Sequence, residues 1–161
     1  MTEELAARLG WTRAGFGDYV RSEVRRRGGD PTSRQTLQDV GQSLVDAGAE
    51  RFCRDVLRSG NFLPGENFLL DGVRHVEIYN ALKLVAQPSI TKLVLLDAEY
   101  ASRRKRSIGR SLDLDFERAE SHRVESEVKI GIPEIADAIV DGNRLFSEVL
   151  EECVAAIHGW Q

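Results

Sequence analysis

Three short apolar runs, "NFLL" at 67–70, "KLVLL" at 92–96 and "DAIV" at 137–140, each stop on an aspartate: Asp71, Asp97 and Asp141. Compact apolar runs bounded by turn residues are the pattern of strands covered on both faces. "HVEIYNALKLVAQ", which stops before Pro88, and "RLFSEVLEECVAAIHGW" carry helical spacing after two of these runs. Strands alternating with helices dictate parallel pairing, because only a crossover of a dozen or more residues returns the chain to the same end of a sheet. The expectation is an α/β fold, a three-layer parallel sheet flanked by helices, as one domain over 1–161.

Upstream of these runs the pattern begins with the helix "TEELAARL", stopped by Gly10, and a short strand "WTRAGF". "GDYVRSEVRRRGG" reads as a helix with Asp18 as N-cap and Gly28 as stop. "RQTLQDVGQSLVDAGAERFCRDVLRSG" reads as two helices broken near Gly48. "DLDFERAESHRVESEVKI" also looks helical, with its paired acids on a solvated face.

With 42% hydrophobic and 30% charged residues, the 161-residue chain is neither disordered nor fibrous. Its net charge of -4 argues against a generally basic nucleic-acid binder. No apolar run approaches the ~20 residues of a membrane span, and "MTEELAAR" has neither region of a signal peptide, so a cytoplasmic protein with no membrane partner is expected. Cys53 and Cys153 have no metal-ligand or disulfide spacing and read as buried thiols; His75, His122 and His158 likewise form no metal set. No GxSxG elbow is present.

Parallel α/β sheets bind ligands at the carboxyl ends of their strands, so the residues just after each strand are where chemistry is sought. Those positions hold Gly17, Asp18 and Arg21; Asp71, Gly72 and Arg74; Asp97 with Arg103, Arg104, Arg106 and Arg110 beyond it; and Asp141, Gly142 and Asn143. Arginine recurs at three of the four ends. A guanidinium keeps its charge and matches phosphate oxygens in a bidentate fork, which points to phosphate esters. The alternatives are ordinary: Arg21 can pair with Glu23, Arg25 to Arg27 suit a solvated helix end, and "RRKRSIGR" suits a solvated face.

The set "GDYVR", "LLDGVRH", "LLDAEYASRRKR" and "AIVDGN", in this order, resembles the P-loop nucleoside and nucleotide monophosphate kinases, adenylate-kinase-like or deoxynucleotide-kinase-like, with AAA-type ATPases as wider relatives. The resemblance implies ATP and magnesium as cofactors and a small nucleotide as partner. It gives Asp18, Arg21 and Arg74 the acceptor phosphate, and Asp71 the strand-end acid associated with magnesium. It gives Arg103 and Arg106 the transferred phosphoryl group, from a lid-like region over 98–130. The helical region 30–63 would enclose the acceptor, with Arg34 and Gln38 facing it, and the loop at Gly142 and Asn143 would carry the donor's adenine. No residue is assigned as a protein-only metal site.

Such kinases begin with a strand and the loop GxxxxGK[ST], which cradles the donor phosphates. The 161 residues contain no such loop, and "TEELAARLGW" resembles the helix that follows it. The expectation is a chain that starts after its P-loop, inactive by itself, with an open sheet edge able to drive homo-oligomers. The other reading is a noncatalytic kinase-like module that binds a nucleotide or a protein partner.

Overall fold

The computed structural model describes residues 1–99, Ser102 and 130–160. Arg103, Arg104, Arg106 and Arg110, expected in a lid-like region, and nearly all of the helix expected over 113–130, lie outside the described residues. The chain opens with α1 (Thr2–Leu9) and divides into two compact units, one of Ala6–Thr91 with Thr2, the other of Lys92–Gln161 with Met1 and Glu3–Leu5.

The first unit is built on β1 (Thr12–Gly15) and β2 (Phe68–Asp71), which run parallel in the register Thr12↔Phe68 to Gly15↔Asp71. Four helices accompany them: α2 (Phe16–Arg26), α3 (Arg34–Asp46), α4 (Ala49–Ser59) and α5 (Val76–Val85). Burial decides where α2 begins. Phe16, Val20 and Val24 lie on one stripe and are all buried, so the apolar phase fixes Phe16 as the first residue, with Gly15 in extended backbone as N-cap. Asp18 therefore sits inside the first turn, where its charge suits the helix dipole, and does not cap the helix as the sequence suggests.

The break at Gly48 is real. Its φ of +135° belongs to glycine, and it lets α3 stop and α4 start two residues apart. Ser33 caps α3 by accepting the Thr36 N–H at 3.2 Å. The core gathers α2, α4 and α5 around Phe52, Cys53, Val56, Ile78 and Leu82, and the Phe16 ring meets the Phe52 ring edge-on at 5.1 Å.

The second unit is built on β3 (Val94–Asp97) and β4 (Ala138–Asp141), again parallel, from Val94↔Ala138 to Asp97↔Asp141. α6 (Phe146–His158) packs on β4 and buries Val149, Leu150, Cys153 and Ile157. Its first turn is closed by Glu148, whose carboxylate accepts the Leu145 N–H at 3.1 Å. At the start of β3, Asp137 accepts the Leu93 N–H at 2.8 Å and pairs with Lys92 at 2.9 Å.

The fold is thus mixed helix and strand, and the described strands form two parallel pairs. No described helix is long and apolar enough to cross a membrane.

Candidate functional site

Parallel register carries the strand-end residues of each unit to one end. In the first unit Gly15 pairs with Asp71, so the entry to α2 and the turn after β2 lie side by side. Gly72 makes that turn at φ +84°. The half-buried Asp71 accepts a hydrogen bond on Oδ2 from the Thr2 hydroxyl at 3.0 Å, a contact across 69 residues of sequence.

On the α2 side, Asp18 holds two guanidinium groups. Arg21 Nη1 donates to Oδ1 at 2.9 Å, and Arg13 Nη1 lies 3.6 Å from Oδ2. Asp18 thereby fixes where Arg21 sits, and the pairing of Arg21 with Glu23 does not form; Glu23 takes Arg26 instead, through two bonds of 2.8 Å. With two arginines on one carboxylate, the cluster keeps a net positive charge, which suits an anion. Arg74 is exposed, three residues past Asp71. Arg34 and Gln38, one turn apart on α3, are both half-buried, whereas Gln35 and Asp39 are exposed and bond each other at 2.9 Å.

In the second unit, Asp97 and Asp141 end paired strands in register. Gly142 donates its N–H to the Asp97 carbonyl, and a Cβ placed there would stand 2.8 Å from that oxygen. Asn143 bonds Asp141 Oδ1 through its backbone and side-chain N–H groups at 2.9 and 2.8 Å, and its Oδ1 accepts the Glu99 N–H at 2.9 Å. These bonds from the Asn143 backbone and side chain hold the Asp141 carboxyl below its ordinary range. Both ends of the Asn143 amide are thus spent within the loop. It shapes that loop.

Both cysteines are buried, and burial pushes the Cys53 thiol up to about 12. Neither has the lowered pKa of a nucleophile. Among the described residues no group of His, Cys, Asp and Glu is arranged to hold a metal ion. A hard cation such as magnesium takes one or two carboxylates and fills its shell with water, and the Asp71 carboxylate beside the Thr2 hydroxyl is an oxygen pair of that chemistry.

Thr2 and Arg13 are the members that sequence reasoning missed. Thr2 was legible only as a helix start, since nothing local links it to a residue 69 positions on. Arg13 had a usable signal, a charged residue inside an otherwise apolar strand candidate. Neither a scan against protein-family models nor a search of the curated proteins finds a match for the chain.

Proposed function

We propose that this chain is the acceptor-holding part of an ATP-dependent nucleotide phosphotransferase, and that its first unit binds a nucleoside monophosphate through Arg21 and Arg74. The observation that carries the reading is the Arg13–Asp18–Arg21 cluster at the entry of α2, one strand away from Asp71 and the Gly72 turn. A phosphate there meets guanidinium charge already oriented by a carboxylate, so less side-chain freedom is lost on binding. In this reading Asp71 is the residue that would hold magnesium, Arg103 and Arg106 would serve the transferred group, and the architecture is a three-layer parallel sheet.

The donor side differs. ATP needs a phosphate cradle, and the 161 residues supply no GxxxxGK[ST] loop. The chain by itself is therefore a binder without transferase activity. Titration with a panel of nucleoside monophosphates tests this. Arg74→Ala should weaken the best of them about tenfold or more, as expected for losing a charge-assisted hydrogen bond. Absence of monophosphate binding, or an Arg74→Ala chain that binds like the parent, would overturn the reading. Phosphate transfer from ATP by the 161-residue chain would overturn its donor half.

A further inference from the structure

A cavity of about 340 Å³ opens in the first unit beside the Asp18 cluster, and its walls include neither Asp71 nor Arg74. β1 contributes Arg13 and Gly15, α2 contributes Asp18, Tyr19 and Ser22, and the last residue of α4 contributes Ser59. The hydroxyl protons are already committed: Ser22 donates to the Tyr19 carbonyl and Ser59 to the Val56 carbonyl, each at 2.7 Å. What both serines have left to offer a ligand is lone pairs.

Asp18 adds carboxylate oxygens, with its side chain 61% exposed, and shares its charge with Arg13 at 3.6 Å and Arg21 at 2.9 Å. The lining is therefore rich in acceptors. A neutral molecule with several O–H donors would find an acceptor for each. Tyr19 supplies a flat apolar wall, seated against Phe52 at 5.7 Å between ring centres, and its phenol stays protonated because burial and the nearby Asp55 and Glu23 raise it. The volume lies at the small end of ligand cavities, the scale of one or two rings.

We propose that this cavity binds a neutral pentose ring, seated over Tyr19 with its vicinal hydroxyls donating to Asp18, Ser22 and Ser59. The cavity shares Arg13 and Asp18 with the cluster that carries the monophosphate reading, so the inference rests on that reading, and ligands without a phosphate test the sugar site apart from Arg74.

Amide spectra of the ¹⁵N-labelled 161-residue chain, titrated with uridine, 2′,3′-dideoxyuridine and methyl β-D-ribofuranoside, test it. Uridine should shift the amides of Gly15, Ser22 and Ser59. Dideoxyuridine, which lacks the vicinal hydroxyls, should bind about tenfold more weakly. The double variant Ser22→Ala/Ser59→Ala should weaken uridine by a similar factor while leaving the thermal midpoint unchanged, since both side chains bond only their own helix. Binding of the methyl riboside identifies a free sugar as sufficient; binding of uridine without it identifies a nucleoside. Equal affinity for dideoxyuridine, shifts confined to other residues, no binding at millimolar uridine, or a double variant that binds like the parent would each overturn the proposal.

Discussion

Gly60 is held by its surroundings, not by its backbone angles. At φ -96° any residue is tolerated, so alanine there would ordinarily gain a few tenths of a kcal/mol by restricting the unfolded chain. Yet a Cβ would stand 2.7 Å from the Ala14 Cβ and 2.6 Å from the Phe68 ring, which is itself packed on Phe62. Overpacking of that kind costs about 1–3 kcal/mol and outweighs the entropic gain. Gly60→Ala should lower the urea midpoint accordingly, and an unchanged midpoint would show that β1 and α4 can part without cost. This close approach had no sequence signal beyond a glycine at a helix end, which reads as a C-cap. The same limit hid Thr2 beside Asp71 and Arg13 beside Asp18, because such contacts depend on register and not on spacing.

At the scale of elements the chain was far more legible, since helices and strands announce themselves in short-range periodicity. The Gly48 break, the Gly10 stop and all three aspartate-terminated strands stand where apolar phase and turn residues put them. The start of α2 was misread because the capping preference of aspartate was weighed against nothing; the buried ring of Phe16 decided it. Helix α3 offers a contrast to Gly60. Gly41 lies in its interior, and a Cβ there would meet only Val20, at 3.8 Å, an ordinary contact. Alanine's better helix propensity is then unopposed, and Gly41→Ala should stabilise by about 1 kcal/mol, read as a raised urea midpoint. Destabilisation would mean that α2 and α3 pack more tightly at this point than their spacing indicates.

Across the whole molecule, sequence pattern gave the strands and their parallel sense, but not how many strands share a sheet, because hydrogen-bonding edges leave no mark in residue order. Two pairs are what the described residues form. The charges of both units can be read together through acid titration. Glu23 is held below its ordinary range chiefly by its hydrogen bonds with Arg26, Asp30 by the Thr32 hydroxyl and N–H, and Asp141 by Asn143. A carboxyl whose folded pKa is depressed binds fewer protons folded than unfolded, so its stabilisation is complete above the unfolded value and is lost as pH falls through the folded one. Unfolding free energy should therefore decline as pH drops below the ordinary carboxylate range. Glu23→Gln should flatten that decline, because the neutral amide no longer titrates, and it should do so at low salt more than at high salt. Of the three, Glu23 has the most enclosed environment, its side chain 13% exposed, which makes it the variant to measure. A slope identical in the parent and Glu23→Gln chains would mean that the ion pair with Arg26 persists on unfolding, and the acid sensitivity would then have to come from Asp30 and Asp141.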